Sequence, residues 1–193
     1  MQSEKYPQRR SVRLKDFDYS ENGKYFITIC SQYHFSLFGK IERHEIKLNE
    51  IGFMIQRWWL ALGKRFELGI EPYIIMPNHI HGIITITSGN QISDKSGESK
   101  IYYKSEETGE NIVSPLHSRT LGQYVSWFKR MSTNEYIRNV KNNNWQPFHK
   151  RLWQRSFWER IIRNQRELDN MSDYIYNNPK NWEIDKLCDT NCY

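Results

Sequence analysis

Pro77-Asn78-His79-Ile80-His81-Gly82 is set between two isoleucine-rich runs, residues 73–76 and 83–87. Side chains alternate across a strand, so the two histidines are predicted to project from one face of it. Imidazole is the commonest side-chain metal ligand, and such a pair can occupy two adjacent coordination positions of one cation. A third ligand must come from elsewhere in the chain. The alternative, two histidines on a partly solvated sheet face, stays open at this point.

The composition favours a single domain with a basic surface. At 193 residues the chain has the length of one well-packed domain. Lys and Arg outnumber Asp and Glu by 28 to 22, and 15% of the residues are aromatic. Such a balance suits a nucleic-acid partner, because cations neutralise phosphates and rings stack on unpaired bases. Many basic proteins with aromatic cores share this composition, so it leaves both interpretations open.

The cysteines indicate a reducing compartment, and the hydropathy gives no sign of a membrane span. Three cysteines, Cys30, Cys188 and Cys192, make no disulfide framework. Cys188 and Cys192 have the spacing of half a zinc site, but no second Cys or His pair lies near them, and two unremarkable thiols are the preferred interpretation. No run reaches the roughly 18 to 20 apolar residues that a membrane span needs. We therefore expect a soluble, cytoplasmic protein.

Apolar periodicity and turn residues predict strands and helices in alternation. The predicted strands are Lys24–Cys30, a weaker one over Phe35–Ile41, Glu71–Met76, the histidine strand that starts near His79, and Phe157–Ile162. The predicted helices are Ile46–Leu62, Thr120–Val140 and Gln165–Asn178, the last ended by Pro179. In the second helix, Lys129, Arg130 and Arg138 are predicted to face solvent.

Four segments lack this periodicity. Residues 1–20 are interpreted as a basic N-terminal arm, 88–118 as a long mobile insertion, and 186–193 as a tail, which leaves 21–185 as the one domain. Residues 141–156 form a polar, basic connector in which Trp and Phe alternate with Lys and Arg. Its aromatic residues are expected either to stack on bases or to cap the core.

The last predicted helix carries a candidate third ligand. Three apolar residues of this helix can face the core: Leu168, Met171 and Ile175. Tyr174 and Asn178 lie four residues apart, on one surface of the helix. Asn178 precedes Pro179, where the negative end of the helix dipole favours a cation. A core tyrosine followed by an ordinary helix stop is the alternative interpretation.

Three motifs together resemble the single-tyrosine HUH transposases, and most closely the REP-associated tyrosine transposases. They are the Tyr-Ile-Ile-Met-Pro-Asn-His-Ile-His-Gly stretch, Trp153-Gln154-Arg155-Ser156-Phe157-Trp158-Glu159, and Asp173-Tyr174-Ile175-Tyr176-Asn177-Asn178-Pro179. The resemblance covers roughly residues 10 to 185, apart from the insertion.

The resemblance implies a ferredoxin-like (RRM-like) α+β fold, with helices packed on a central antiparallel sheet. It implies a metal site for Mg²⁺ or Mn²⁺ formed by His79, His81 and Asn178, with Tyr174 as the nucleophile. Tyr176 is the rival nucleophile, but it projects about 200° further round the helix, since successive residues are about 100° apart. The two tyrosines therefore cannot face the same metal.

The implied activity is DNA nicking and strand transfer through a 5′-phosphotyrosine, as in transposition and recombination. The implied substrate is hairpin-forming single-stranded DNA, with phosphates held by Arg130, Arg151, Arg155 and Arg160. A monomer is favoured over a dimer. The implied location is the cytoplasm of a prokaryote, in association with the nucleoid. Two alternatives stay open: a catalytically inactive, domesticated binder of structured single-stranded nucleic acid, and a hydrolytic metallonuclease that uses the histidine pair alone.

Overall fold

The computed structural model describes residues 22–87, 102–104, 111–113, 119–184 and 187, and only the backbone of the two short middle segments. The predicted arm, most of the predicted insertion, and Cys188 and Cys192 in the predicted tail lie outside the described residues. Within the insertion, residues 102–104 and 111–113 form an antiparallel pair of strands that the sequence did not predict.

The described chain contains eight strands and three α-helices. They are β1 (Gly23–Cys30), β2 (Gly39–Glu42), β3 (Glu45–Leu48), α1 (Glu50–Phe66), β4 (Tyr73–Ile75), β5 (His79–Ile86), β6 (Tyr102–Lys104), β7 (Asn111–Val113), α2 (Leu121–Asn142), β8 (Trp158–Ile162) and α3 (Gln165–Asn177). Among these residues, no helix is both long and apolar enough to cross a membrane.

The central sheet has the ferredoxin-like topology. Its strand order is β4-β5-β1-β8, and all three neighbouring pairs are antiparallel. Along the chain its elements follow as β1-α1-β4-β5-α2-β8, so the first and last strands meet in the sheet although they are far apart in sequence. The predicted α+β class with a central antiparallel sheet is confirmed.

Helices cover both faces of this sheet. On one face, Tyr25, Ile27 and Ile29 of β1 belong to the main core, together with buried residues of α1 and α2 such as Trp59 and Phe128. On the other face, α3 packs over the sheet. Its apolar contacts join buried Ile83, Ile162 and Ile175 to the partly buried Phe26, Ile74, Leu168 and Met171. The predicted apolar face of the last helix is therefore confirmed.

Local side-chain chemistry sets where the helices begin. Asn49 caps α1 by accepting a hydrogen bond from the backbone N–H of Gly52 at 2.9 Å, and Asn164 caps α3 in the same way through Glu167. Thr120 and Gln123 form a capping box at the start of α2.

The predicted first helix began too early. Residues Glu45–Leu48 form β3, which pairs with β2, and the helix starts only at Glu50. Ile46 and Leu48 alternate with Glu45 and Lys47, which is a strand period of two. The prediction extended the helix back to Ile46, although the apolar residues at helical spacing begin only at Ile51. The weak strand predicted over Phe35–Ile41 starts later and ends one residue further on, as β2 (Gly39–Glu42).

Gly82 permits the close approach of α1 to the histidine strand. A Cβ built at this glycine would lie 2.6 Å from a ring carbon of the fully buried Trp59. We predict that Gly82→Ala lowers the free energy of unfolding by about 1–3 kcal/mol, the usual cost of overpacking. Chemical denaturation of the wild type and of Gly82→Ala tests this. The same pair is compared in a Trp59→Phe background, which removes the clashing carbon. An equal cost in both backgrounds would contradict the packing explanation.

Candidate active site

The residues opposite His81 form a row across the central sheet. His81 of β5 lies opposite Ile74 of β4 and Thr28 of β1, and Thr28 lies opposite Trp158 of β8. Directly opposed residues point to the same face of a sheet. Ile74 packs in the cluster formed with α3, so this row lies on the α3 side of the sheet. His79, two residues before His81, shares the face of His81, as predicted for the pair. Both histidines are buried, and their ring centroids are 4.3 Å apart.

Contacts on all sides hold the His81 ring. Its Nδ1 lies 2.8 Å from the Thr28 hydroxyl oxygen, and its Nε2 lies 3.4 Å from the Tyr174 hydroxyl. Phe26 stacks on it at a centroid distance of 5.4 Å. When the Thr28 hydroxyl accepts a hydrogen bond from the Nδ1–H group, Nε2 carries the lone pair and faces the Tyr174 side of the site.

Asn78 determines which nitrogen of His79 carries the proton. The Asn78 amide nitrogen donates to the backbone carbonyls of His34 and Leu187, at 3.0 and 2.6 Å, so its oxygen faces His79. That oxygen lies 2.7 Å from Nδ1 of His79. An amide oxygen only accepts hydrogen bonds, so Nδ1 must donate and Nε2 keeps its lone pair.

His79 is held in its neutral form. Burial, followed by repulsion from His34, lowers the pKa of His79 to about 3. Its Nε2 is buried and has no hydrogen-bond partner among the described residues. Leaving such a group unpaired is costly, and a neutral imidazole nitrogen is a good metal ligand. The donor set at this point therefore fits a cation.

The third and fourth site residues come from α3 and the turn after it. Tyr174 is 42% exposed, and its ring lies edge-on to His81 at 5.1 Å and to Phe26 at 5.9 Å. Asn178, one helical turn further on, is 2% exposed. The predicted end of the α-helix just before Pro179 is confirmed, because α3 ends at Asn177. A 3₁₀ helix that was not predicted, Asn178–Ile184, follows it directly.

This 3₁₀ helix also encloses the histidines. Its Trp182 stacks on His79, with ring centroids 6.0 Å apart. No cluster of three His, Cys, Asp or Glu side chains suited to a metal occurs in the described residues. The ligand set of His79, His81 and Asn178 stays a prediction.

The rival tyrosine lies elsewhere. Tyr176 is 66% exposed and lines a groove with Tyr73, Gln56 and Ile46, beside β4. The described contacts of α3 with the histidine rings come from Tyr174.

A relative of nearly full length was found by comparison of the sequence with known proteins. An uncharacterized protein of Haemophilus influenzae is 34% identical over 180 residues, which are 93% of this chain and 92% of that protein. The chain belongs to the same family as this protein. No family model matches the sequence.

Two further comparisons concern transposases. A second H. influenzae protein, provisionally named a REP-associated tyrosine transposase, is 36% identical over 58 residues, which are 28% of this chain and 33% of that protein. A solved structure of a REP-associated tyrosine transposase bound to a REP hairpin superposes with a TM-score of 0.52 and 19% identity, covering 89% of this chain and 73% of that one. The predicted resemblance is confirmed in fold and in this short sequence segment.

Three of the four arginines predicted to bind nucleic acid lie together. Arg130, Arg151 and Arg155 line one groove between α2 and the connector, along with Lys150. Arg160 lies apart on β8, with its guanidinium 3.8 Å from the Glu167 carboxylate. Their role in binding stays a prediction.

Lys129 lies at the same groove but does not face solvent as predicted. Its ammonium donates to the backbone carbonyls of Gln154 and Ser156, at 2.9 and 3.0 Å, and burial lowers its pKa to about 8. Lys129 therefore ties the connector to α2.

No role in the site was predicted for Thr28, Asn78, Phe26 or Trp182. Asn78 is in the opening stretch, but its bonds to His34 and Leu187 join distant segments. Thr28 and Phe26 reach His81 through strand register, which the apolar pattern does not specify.

Lowering the pH should destabilise the protein through His79. Between pH 6.5 and 3 the unfolded chain binds a proton at this residue and the folded chain does not, so acid favours unfolding. We predict that, as the pH falls, the free energy of unfolding decreases more steeply for the wild type than for His79→Gln. The difference is up to about 1.4 kcal/mol per pH unit and approaches this limit below pH 6. Chemical denaturation at a series of pH values, with a chelator present, measures this difference. Carboxylates contribute to the pH dependence of both proteins, so their effect cancels in the comparison. Parallel pH profiles would contradict the burial of a neutral imidazole.

Proposed function

We propose that the protein is a single-tyrosine DNA strand transferase, which nicks and rejoins hairpin-forming single-stranded DNA through a 5′-phosphotyrosine. The observation that carries the proposal is the position of the Tyr174 hydroxyl, 3.4 Å from Nε2 of His81. A phenol at the exposed edge of a buried imidazole pair has access both to a substrate and to a cation held by that pair. Tyr174 is the described tyrosine that meets both conditions.

The cation would be Mg²⁺ or Mn²⁺, held by Nε2 of His79, Nε2 of His81 and the side-chain oxygen of Asn178. Neutral ligands leave most of the cation's charge available, so when bound it would polarise the non-bridging oxygens of the scissile phosphate. Thr28 and Asn78 orient the imidazoles for this role, as hydrogen-bonded partners of metal-binding histidines commonly do.

Tyr174 attacks phosphorus in this proposal. A bond forms between the phenol oxygen and phosphorus, the bond from phosphorus to the 3′-oxygen breaks, and the leaving strand takes a proton to become a 3′-hydroxyl. The phenol loses its own proton, which the exposed position of Tyr174 allows solvent to accept. Because the phosphodiester is exchanged and not hydrolysed, a later 3′-hydroxyl can reverse the step and rejoin strands without ATP.

The comparisons support a hairpin substrate. The solved transposase structure with this fold is bound to a REP hairpin, and its likeness extends over 89% of the present chain. The groove lined by Arg130, Arg151 and Arg155 is the basic surface best suited to the phosphates of such a DNA. Transposition in the cytoplasm, at the nucleoid, is the setting that this activity implies.

In this proposal a monomer with a self-contained site is favoured over a dimer that shares its tyrosines. The support is that the Tyr174 hydroxyl lies 3.4 Å from Nε2 of His81 in the same chain, and that Phe26 contacts both rings.

Covalent attachment to DNA is the sharpest test of the nucleophile. Hairpin DNA labelled on the 5′-phosphate side of the nick should give an SDS-stable adduct in Mn²⁺, and Tyr174→Phe should abolish it. Tyr176→Phe, a matched change two residues away, should leave the adduct. An adduct that persists without the Tyr174 hydroxyl would contradict the proposal, as would DNA hydrolysis without attachment.

Failure of the wild type to form any adduct, with hairpin binding intact, would favour the alternative of a binding protein without catalysis. The same experiment thus separates the enzyme from the binder.

The hydroxyl of Thr28 should support cation binding through His81. Thr28→Val keeps the side-chain shape and removes the acceptor of the Nδ1 proton. We predict that it weakens Mn²⁺ binding roughly 10–100-fold, the usual cost of losing such a partner. Calorimetric titration measures this, with Thr85→Val on β5 as the control. Equal Mn²⁺ affinity in the Thr28→Val variant and the wild type would contradict the role assigned to Thr28.

A further inference from the structure

Trp158 is the one strongly exposed tryptophan among the seven in the sequence, all of which are described. Trp59 and Trp153 are buried and four others are partly buried, whereas Trp158 is 60% exposed. Burying an indole contributes more than burying almost any other side chain, so an exposed one forgoes substantial stability. Its position therefore calls for an explanation other than folding.

The strand register places Trp158 on the same sheet face as the candidate nucleophile. Trp158 lies directly opposite Thr28, which contacts His81, the residue beside the Tyr174 hydroxyl. Two strand spacings, about 10 Å, separate Trp158 from the His81 strand. The indole and the nucleophile thus border the same surface.

The coverage of β8 by α3 ends before this residue. Ile162, four residues further along the strand and on the same face, is buried with Ile175 of α3. Between them lies Arg160, which shares this face, lies opposite Phe26 and has its side chain 59% exposed. The uncovered end of the strand therefore presents an indole next to a cation.

We propose that Trp158 is a stacking platform for an unpaired base of single-stranded DNA, next to the phosphate that Tyr174 attacks. The inference rests on the proposed function and adds a base-binding site to it. An aromatic ring accepts any base by its π-face, and a neighbouring guanidinium holds the backbone phosphate. This pair of groups suits a nucleotide better than the apolar surface of a second protein, because Arg160 charges the rim of the patch.

The test separates stacking from phosphate contact. Fluorescence anisotropy would compare labelled oligo(dT) with a sugar-phosphate oligomer of equal length that lacks bases, using the Tyr174→Phe protein so that no covalent step interferes. Trp158→Ala should weaken oligo(dT) binding roughly 5- to 150-fold, the range for removal of one stacked base. Binding of the base-free oligomer should change little.

Two further variants provide the controls. Trp158→Phe should retain most of the affinity, because the ring is kept. Phe53→Ala, which removes an aromatic ring that is 52% exposed on α1, should leave both affinities unchanged.

Each contrary outcome overturns the inference. Unchanged oligo(dT) affinity in Trp158→Ala, or an equal loss for both oligomers, would exclude base stacking, as would the absence of oligo(dT) binding to the parent protein. A change in sedimentation behaviour without a change in DNA binding would make the patch a protein contact. The adduct assay on protein with Tyr174 intact tests the proposed function separately, so failure of the stacking inference can be told apart from failure of the proposed function.

Discussion

The candidate site depends on the packing of α3 against the sheet face that carries both histidines. Two kinds of contact fix the helix there. Ile175 is buried against Ile83 and Ile162, and the Tyr174 ring meets Phe26 and His81 edge-on. Aromatic pairs of this kind contribute roughly 0.5–1.5 kcal/mol beyond burial, and they also orient the ring. The same contact that stabilises the helix thus aims the Tyr174 hydroxyl at His81.

Neighbouring side chains favour the same tautomer of both histidines, with the proton on Nδ1. Asn78 can only accept from Nδ1 of His79, because its amide nitrogen is committed to the carbonyls of His34 and Leu187. Burial keeps this imidazole neutral, and the Thr28 hydroxyl offers an acceptor to Nδ1 of His81. Each Nε2 atom then presents a lone pair, and the two ring centroids are 4.3 Å apart. The arrangement resembles a metal site in which the polypeptide has fixed the ligands beforehand.

Periodicity was sufficient to predict the elements that position the site. Alternation placed His79 and His81 on one face, and the helical spacing of Leu168, Met171 and Ile175 identified the face of α3 that is buried. It failed at Glu45–Leu48, where Ile46 and Leu48 have the spacing of a strand but were included at the start of the predicted helix. The role of Trp158 could not be predicted either, because it depends on which residue of β1 lies opposite, and register is set by the whole sheet.

The proposed metal site requires that His79, His81 and Asn178 converge on one cation next to the Tyr174 hydroxyl. Anomalous diffraction from crystals soaked in Mn²⁺ tests it most directly. We predict one manganese peak about 2 to 2.5 Å from Nε2 of each histidine and from the Asn178 side-chain oxygen. A soaked crystal in which manganese binds elsewhere, or leaves these three atoms uncoordinated, would contradict it.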